Sequence, residues 1–456
     1  MAELLHVDAL GAEGAYRTRR RTDLTGVSGE KIGEISLVSP LYVRRTIAAM
    51  RAARVPSAAD RITMLDEAAD LYLTGTVGGL DPDRYAHLVS IASGVPLPVV
   101  RGSMAGVADS LRALRHTSGL AMPTGAVADW DDPRTENGSA VWTRKGDVFA
   151  VHASGNTPGV HGLWPEALAL GYKVAVRPSN REPFTAFRLI SALRRAGFGD
   201  DVVALLPCDY VTADVIIAEA DYSMVYGGQD VVEKYAANPR VLPQGPGRSK
   251  VLVTKDVDWR DKVDLIADAV SHLGGTACVC TTSVLVEGDP APLAEALAAR
   301  LSRIPSLAAE DPSAVLTVQP REQAAKVDEY LHRVAEGTRA WLGGDTVVDE
   351  LPGGGAVLRP AVHEVRTSGA SQLNVELPFP CVWVGPWAPE DGIAPLKGSL
   401  VVTAMTEDRR LIGELLREPS ITNVYLGDTP TTLMLPGVPH DGYLGEFLMR
   451  TKAVIR

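Results

Sequence analysis

The spacing of hydrophobic and polar positions divides the chain into a helical start and two alternating blocks. Apolar residues recur at helical spacing in "PLYVRRTIAAMRAARV", "SAADRITMLDEAADLYLT" and "LPVVRGSMAGVADSLRALRHT", which proline and glycine separate. This pattern predicts that the first 120 residues are mostly helical. From residue 147, apolar runs such as "DVFAVH" and "KVAVR" alternate with helical patterns such as "PFTAFRLISALRRAG", and a second block begins with "SKVLVT". Such alternation predicts βαβ units, parallel sheets and ligand sites outside the carboxyl ends of the strands.

A turn-rich segment separates the helical start from the first alternating block. It reads "MPTGAVADWDDPRTENGSAVWTRKGD" and places Asn-Gly at 137–138 between two potential strands. An Asn-Gly pair in this setting favours a β-hairpin, so we predict an extended hairpin over 122–145. The tail, "GYLGEFLMRTKAVIR", ends with a strand-like pattern.

Composition narrows the possible functions. A chain of 456 residues is too long for one hydrophobic core, so two or three domains are expected. The net charge of −11 argues against a nucleic-acid partner, which selects a basic face. No run approaches the roughly 18 apolar residues of a membrane helix, and the N-terminus lacks an apolar signal core, so we expect no membrane partner. The four cysteines are irregularly spaced, which predicts a reducing cytoplasm rather than a disulfide framework.

Two of the four cysteines, Cys278 and Cys280, lie in the short stretch "HLGGTACVC". A metal site would need about four ligands, and only His272 is close in sequence, so no metal is expected. A disulfide between residues this close is geometrically awkward. Two buried small side chains at the entrance of a strand are common for cysteine. A nucleophile also fits, because the glycines at 274 and 275 permit close approach of a substrate and a thiolate attacks readily. The loop alone leaves these last two interpretations open.

Five segments, taken in order, resemble the aldehyde dehydrogenase superfamily from about residue 40 to the end of the chain. They are "SGNTPG" at 154–159, "KVAVRPSNREP" at 173–183, "MVYGGQDVVEKY" at 224–235, "GGTAC" at 274–278 and "VELPFPCVWVG" at 375–385. Their common order and spacing carry the resemblance, because no single segment is specific. The resemblance implies an α/β fold with two Rossmann-like parallel-sheet domains and a small oligomerisation element. Members of this superfamily bind a dinucleotide without the G-x-G-x-x-G fingerprint, which is absent here.

The resemblance also implies roles for individual residues. "GGTAC" is similar to the catalytic Gly-Gln-x-Cys motif, which selects Cys278 as the nucleophile rather than Cys280. Attack of Cys278 on a carbonyl carbon would form a thiohemiacetal, whose oxyanion the Asn156 amide and the Cys278 backbone N–H would stabilise. Hydride exchange with a nicotinamide then connects this species to an enzyme-bound thioester. The residues that the resemblance places on the cofactor are Arg177, Ser179, Asn180, Gly227, Gly228, Glu376 and Phe379, with Glu376 on the nicotinamide ribose.

One departure from the family pattern concerns deacylation. Hydrolytic members carry a glutamate in a Glu-Leu-Gly-Gly-Lys segment, and the corresponding segment here is "QGPGRS", with Gln244 at the glutamate position. An amide cannot take a proton from water at neutral pH, so the acyl-cysteine must exchange with something else unless an acid from elsewhere substitutes. This departure indicates the acylating branch, in which acyl groups pass to or from coenzyme A or a carrier. Its members include fatty acyl reductases of bioluminescence systems and relatives in specialised metabolism, which often work with an acyl-activating partner enzyme.

A second departure concerns the cofactor. Arg177 and Asn180 stand where the family has a lysine and a glutamate around the adenosine ribose. Loss of the acid removes repulsion against a 2′-phosphate, and an arginine can pair with one. We therefore expect NADP ahead of NAD.

The predicted protein is an NAD(P)-dependent oxidoreductase that interconverts an aldehyde and a cysteine thioester, and most simply reduces an activated carboxylic acid to an aldehyde. Residues 1–248 would hold the N-terminal helices and the dinucleotide-binding domain, interrupted by the hairpin at 122–145. Residues 249–435 would form the catalytic domain. The hairpin and 436–456 would form the oligomerisation element of a homodimer or tetramer.

Three alternatives stay open at this point. The nearest is a hydrolytic aldehyde dehydrogenase that oxidises an aldehyde to the free acid with a displaced general base. A non-catalytic scaffold is a second alternative, against which the intact Cys278, Asn156 and Glu376 argue. A cysteine hydrolase is the third, and it is disfavoured because no histidine is placed near the nucleophile by a recognisable motif.

Overall fold

A computed structural model describes residues 5–456 of the chain. Its strands are β1 Leu5–Val7, β2 Ala9–Gly11, β3 Gly14–Tyr16, β4 Arg21–Thr25, β5 Lys31–Ser36, β6 Ser139–Arg144, β7 Val148–His152, β8 Lys173–Arg177, β9 Val203–Leu205, β10 Tyr222–Tyr226, β11 Val241–Gln244, β12 Ser249–Val253, β13 Thr281–Glu287, β14 Val318–Gln319, β15 Arg339–Leu342, β16 Val348–Glu350, β17 Ala356–Leu358, β18 Ala361–Glu364, β19 Cys381–Trp387, β20 Ser399–Met405, β21 Ile421–Leu426 and β22 Met449–Val454. Its α-helices are α1 Pro40–Ala52, α2 Ala58–Thr74, α3 Pro82–Ser93, α4 Leu97–Thr117, α5 Pro165–Ala169, α6 Phe184–Arg195, α7 Tyr210–Glu219, α8 Gln229–Tyr235, α9 Val263–Ser271, α10 Ala291–Leu301, α11 Arg321–Val334, α12 Arg409–Arg417 and α13 Leu444–Leu448.

Two seven-stranded sheets organise the molecule. The first has the order β11-β10-β7-β8-β9-β2-β3, and its strands from β11 to β9 are parallel. One face packs against α2, α3, α4 and α6, and the other packs against α1 and α7. Because both faces are covered, a central strand such as β7 is buried along its whole length and is apolar up to its last residue.

The second sheet has the order β15-β18-β19-β13-β12-β20-β21 and is parallel except for β15. Helices α9 and α10 cover one face, and α11 and α12 cover the other. Three small sheets complete the fold, namely β1-β5-β4, β14-β17-β16 and β22-β6. The predicted α/β fold with two parallel-sheet units is therefore confirmed.

Local sequence signals fix where several helices begin. The hydroxyl of Ser39 accepts a hydrogen bond from the Tyr42 backbone N–H and Pro40 follows, a combination that starts α1. Asp209 caps α7 in the same way through the Thr212 backbone N–H. The helices predicted at 40–117 are confirmed as α1, α2 and α4, with α3 in addition.

The prediction that the first 120 residues are mostly helical is confirmed by α1 to α4. Residues 5–36 ahead of them hold the strands β1 to β5, and β2 joins the first sheet through the pairing of Leu10 with Leu205. One expectation about the chain was wrong. The hairpin predicted over 122–145 does not form, because the Asn-Gly pair at 137–138 closes the short 3-10 helix Pro133–Asn137. The strand that follows, β6, pairs antiparallel with the distant β22.

Within residues 5–456 no single helix has both the length and the apolar character needed to cross a bilayer. Only α3 and α4 taken together meet that test, and the chain bends by 119° between them.

Candidate active site

A cavity of about 880 Å³ brings the predicted catalytic residues together. Its walls come from loops that follow β7, β10 and β11 of the first sheet and from loops that precede β13, β19 and β20 of the second. The site was expected outside the carboxyl ends of the strands. The cavity lies there with respect to the first sheet, but it lies at the amino ends of the strands of the second sheet. Polar side chains that line the cavity include Asn156, Gln244, Cys278, Glu376, His440 and Asp441.

The cysteine loop turns sharply between α9 and β13. Leu273, Gly274 and Gly275 all have positive φ angles, of 48°, 71° and 71°. Gly275 is also required by space, because a Cβ there would lie 2.3 Å from the backbone nitrogen of Pro380. The glycine pair therefore reverses the chain tightly and delivers Cys278 to the cavity wall, where it is half-buried.

The backbone of Cys278 is held by the segment that follows β11. A Cβ at Gly247 would lie 1.7 Å from the Cys278 carbonyl oxygen, so only glycine permits this approach. The Ser249 hydroxyl donates to the same oxygen at 3.0 Å. The segment that follows β11 thus holds the backbone of Cys278 in place.

Asn156 lies on the loop after β7, opposite the cysteine loop. Its Nδ2 donates to the Thr276 carbonyl at 3.0 Å, and its Oδ1 accepts from the Ser154 hydroxyl at 2.5 Å. An amide nitrogen carries two protons, so one remains to donate to an oxyanion. The two partners fix the orientation of the amide beside the loop that carries Cys278.

Gln244 and Glu376 line the same cavity from opposite sheets. Gln244 ends β11 and is buried. Glu376 Oε2 accepts from the Arg248 backbone N–H at 2.8 Å. Burial raises the pKa of Glu376, and the hydrogen bonds from the backbone of Arg248 and Gly247 offset this only in part.

A histidine that the sequence analysis did not identify completes the site. His440 Nε2 lies 3.7 Å from Cys278 Sγ, and His440 Nδ1 lies 2.8 Å from Asp441 Oδ2. The sequence placed no histidine near Cys278 by a recognisable motif, whereas the structure brings His440 into contact with its sulfur. The only signal in the sequence was the adjacent pair "HD" ahead of the tail, which lies 162 residues from the cysteine and matches no recognised motif.

The residues predicted to hold the adenosine end of a cofactor lie beyond the lining of this cavity, at the end of β8. Arg177 is paired in register with His152 of β7, and its guanidinium carbon is 5.1 Å from the centre of the Tyr210 ring. Ser179 and Asn180 follow in the next turn, where the Ser179 hydroxyl accepts from the Arg181 backbone N–H at 3.1 Å.

The remaining predicted cofactor residues are divided between the cavity and the core. Gly227 and Gly228 line the cavity at the end of β10. Phe379 does not line it, because its side chain is only 3% exposed and packs in the core of the second sheet. Its backbone packs against Gly275, so Phe379 supports the cysteine loop.

Comparison with known proteins agrees with this arrangement. The model of the aldehyde dehydrogenase family matches residues 18–395. A putative aldehyde-dehydrogenase-like protein of Sinorhizobium fredii is 26% identical over 134 residues, which cover 28% of this chain and 26% of that protein. The aligned part is thus about a quarter of the curated relative's length.

Solved structures show the same fold at low sequence identity. An NADP-dependent enzyme of E. coli superposes with a TM-score of 0.82 at 18% identity, covering 98% of this chain and 97% of the other. An NAD-dependent aldehyde dehydrogenase from Sinorhizobium meliloti superposes with a TM-score of 0.83 at 20% identity, covering 99% and 95%. The family match, which spans most of the chain, confirms the resemblance of the five motifs: the chain belongs to the aldehyde dehydrogenase family.

Proposed function

We propose that this enzyme is an NAD(P)-dependent oxidoreductase that interconverts an aldehyde and a Cys278 thioester, and that it reduces an activated carboxylic acid to an aldehyde. The observation that carries the proposal is the presence of Gln244, and not a glutamate, in the cavity of Cys278. Because an amide does not deprotonate water, the thioester persists for exchange with another thiol.

The other acids of the cavity support this proposal. Among the described residues that line it, only Glu376 and Asp441 carry a carboxylate. Glu376 is bound to the Arg248 backbone N–H, and Asp441 is bound to His440. Neither carboxylate stands at position 244, where the family has its glutamate, and each already has a partner.

The residues of the chain then divide the chemistry as follows. Cys278 attacks the carbonyl carbon of the acyl donor, and the donor's thiol leaves. The free proton of the Asn156 amide and the Cys278 backbone N–H stabilise the oxyanion, a contribution of about 10²–10³ in rate for one such donor. Addition of a hydride to the Cys278 thioester would give a second tetrahedral species, a thiohemiacetal. Its C–S bond then breaks, which releases the aldehyde and returns the sulfur of Cys278.

Buried polar groups at the ends of two strands of the first sheet fit a dinucleotide cofactor. Within residues 5–456, His152 Nε2, Arg177 Nε and Asn180 Oδ1 are buried without a hydrogen-bond partner, and all three lie at or just beyond the carboxyl ends of β7 and β8. Such unpartnered polar atoms are costly unless a ligand satisfies them. A nicotinamide dinucleotide held here by Arg177, Ser179 and Asn180, with Gly227, Gly228 and Glu376 towards Cys278, would supply the hydride.

Arg177 favours NADP over NAD in this proposal. Its guanidinium stacks on Tyr210, the exposed first residue of α7. A guanidinium in this position pairs well with a 2′-phosphate, and Asn180 adds no negative charge that would repel it.

A second function is favoured by one specific observation. His440, hydrogen-bonded to Asp441, lies beside Cys278, and it can activate water once acylation has removed the sulfur charge that helps to raise its pKa. In that case the enzyme would be a hydrolytic aldehyde dehydrogenase whose base has moved from position 244 to position 440.

Product analysis separates the two functions. Purified enzyme receives octanoyl-CoA or acetyl-CoA with NADPH, and separately octanal or acetaldehyde with NADP⁺, with and without coenzyme A. Aldehyde formed from a thioester, and acyl-CoA formed from an aldehyde only when coenzyme A is present, support the acylating function. Rapid release of free acid from the aldehyde without coenzyme A contradicts it and leaves the hydrolytic alternative.

We also propose that the chain forms a homodimer or tetramer through the sheet of β6 and β22. The second edge of β22 pairs with no strand in residues 5–456, and most of this strand is exposed. Trp130 and Ile455 beside it are 61% and 79% exposed, and apolar groups at an open strand edge favour association. The proposal further includes an acyl-activating partner or carrier and a cytoplasmic location, which the four free cysteines support.

A further inference from the structure

Cys278, His440 and Asp441 form a linear chain of contacts inside the cavity. Cys278 Sγ lies 3.7 Å from Nε2 of His440, whose Nδ1 lies 2.8 Å from Asp441 Oδ2. A carboxylate can only accept a hydrogen bond, so Nδ1 carries a proton and Nε2 is left to exchange one with the sulfur. Asp441 thereby fixes which nitrogen of His440 faces Cys278.

The backbone around His440 is held in place by the second sheet. Asn423 of β21 donates through Nδ2 to the His440 carbonyl at 2.5 Å and to the Leu400 carbonyl at 3.2 Å. The Tyr443 hydroxyl donates to the Gly437 carbonyl at 3.0 Å, which closes the segment on itself. His440 is therefore held at its ring by Asp441 and at its backbone by Asn423.

The charge environment stabilises the imidazolium that forms once His440 has taken the Cys278 proton. Burial alone lowers the pKa of His440, but the hydrogen bonds and charges of Asp441 and Cys278 outweigh it and raise the pKa to about 10. Burial also raises the pKa of Tyr226, and the charges of Cys278 and Asp441 add to that effect. The other ionisable groups that line the cavity are Arg181, Tyr226, Arg248, His272, Tyr330 and Glu376.

We propose that His440 is a catalytic residue that takes the proton of the Cys278 thiol and returns it to the thiol that leaves the acyl donor, and that Asp441 is its positioning residue. This role rests on the proposed function only for the identity of the acyl donor. The removal of the Cys278 proton is a property of the chain itself.

The acyl-transfer step balances as follows. The S–H bond of Cys278 breaks, its proton goes to His440 Nε2, and the sulfur electron pair forms the new S–C bond to the carbonyl carbon. The carbonyl π pair moves to oxygen, then re-forms the C=O bond and expels the thiolate of the donor. That thiolate takes the proton from Nε2 and leaves as a thiol, so no redox change or outside proton is needed in this step.

The first test measures the thiol without any substrate. Full-length enzyme is treated with iodoacetamide at neutral pH, and alkylation of Cys278 is followed by mass spectrometry of the peptide. We expect His440→Gln to slow alkylation roughly 10²-fold, because general-base assistance typically contributes about 10²–10⁴. Asp441→Asn should slow it by a smaller factor, and Asp441→Glu should restore part of the loss.

The matched control is His332→Gln. His332 also lies beside a carboxylate, with Nε2 3.7 Å from Asp328 Oδ1 on α11, but it does not line the cavity. Its substitution should leave alkylation of Cys278 unchanged. Equal alkylation rates in wild type and His440→Gln would overturn the proposal. If His440→Gln fails to fold, Asp441→Asn carries the same test, and an unchanged alkylation rate in that variant overturns it equally.

The second test adds octanoyl-CoA without any dinucleotide and follows acyl-enzyme formation by rapid quench and intact mass. Slower acylation in His440→Gln than in wild type supports the role in thioester chemistry. If wild type forms no acyl-enzyme while His440→Gln still slows alkylation, the proposed acyl donor is wrong and the proton transfer by His440 stands. The two failures are thus distinguishable.

Discussion

Cys278 and Cys280 lie two residues apart, yet their sulfur atoms have opposite surroundings. Cys278 Sγ faces the cavity and contacts His440 Nε2, whereas Cys280 Sγ points into the core and donates to the His272 carbonyl at 3.1 Å. Burial raises the pKa of the Cys280 thiol, which keeps it protonated and unreactive. The structure thus distinguishes a cysteine that faces the cavity from one that is buried, only two residues apart.

This difference predicts the outcome of two alanine substitutions. Cys278→Ala should abolish turnover in both directions, because it removes the only sulfur of the cysteine loop that reaches the cavity. Cys280→Ala should keep most of the activity and lose about 1–2 kcal/mol of stability, since a buried thiol leaves a small void. Initial rates and urea unfolding measure the two effects. A dead Cys280→Ala with normal stability would show that the nucleophile has been assigned two residues too early.

Gln244→Glu should convert the enzyme towards hydrolysis. The change is nearly isosteric, and it restores a carboxylate at the position that activates water in hydrolytic members of the family. The buried setting of Gln244 would raise the pKa of that carboxylate and suit it to act as a base near neutral pH. We expect about a 10²-fold faster oxidation of octanal to free acid and a lower yield of aldehyde from octanoyl-CoA.

Gln323→Glu is the charge-matched control, because Gln323 lines the same cavity from α11. That variant should show no gain in hydrolysis. If the wild-type enzyme already releases free acid rapidly, Gln244 is not the switch, and His440 becomes the candidate base.

Arg177→Ala should separate NADPH from NADH. A charged hydrogen bond to a phosphate contributes about 1.5–3 kcal/mol, so the Kd for NADPH should rise roughly 10- to 100-fold while that for NADH changes little. Fluorescence titration of the nucleotide measures both constants without turnover. Asn180→Glu should weaken NADPH selectively by repulsion. An equal loss for both nucleotides in Arg177→Ala would show that the side chain serves the fold rather than the 2′-phosphate.

The burial of Glu182 predicts that the stability of the fold depends on pH. Its carboxyl is 2% exposed and accepts from the Thr185 backbone N–H at 2.9 Å. Burial raises its pKa from 4.5 to about 7 despite this hydrogen bond. The folded state therefore holds a proton that the unfolded state releases between these pH values, so the contribution of Glu182 is full below pH 4.5 and is lost as the pH rises through 7.

Glu182→Gln should remove this dependence. Relative to wild type, the variant's free energy of unfolding should increase by roughly 1.4 kcal/mol per pH unit within the window. Urea titrations across the window measure the difference. Glu418→Gln is the control, because the hydrogen bond from Lys397 lowers the pKa of Glu418 to about 2, and its stabilisation is lost only at more acid pH. If the difference in free energy of unfolding between Glu182→Gln and wild type does not change with pH, water reaches the carboxyl and its pKa is not raised.

Ile455→Glu should lower the oligomeric mass. Ile455 is 79% exposed at the end of the chain, so a glutamate there leaves the folded protomer intact but places a charge in any contact between copies through β22. Size-exclusion chromatography with light scattering measures the mass. Leu416→Glu, at a 68% exposed position on α12, is the matched control and should keep the wild-type mass. An unchanged mass for Ile455→Glu would place the association surface elsewhere.

The sequence by itself determined the parts of this protein that depend on local periodicity. Alternating apolar runs and helical patterns identified β7, β8, β12 and the helix α6, because a strand buried on both faces is mostly apolar. The glycine pair ahead of Cys278 and the position of Gln244 were also visible, since each is a feature of one short segment. Asn156, Gln244, Cys278 and Glu376 do line one cavity.

Only the tertiary structure decided which distant segments meet. The Asn-Gly pair at 137–138 predicted a local hairpin, but β6 gains more by pairing along its full length with β22, a contact that no short-range rule can anticipate. The same holds for the active site. His440 reaches Cys278 across 162 residues because Asn423 ties its backbone to the second sheet. Gly247 reaches the Cys278 carbonyl because two segments of the backbone pack without an intervening side chain. A pattern of single residues records burial and turn preference, whereas catalytic geometry arises from the packing of segments that the sequence keeps far apart.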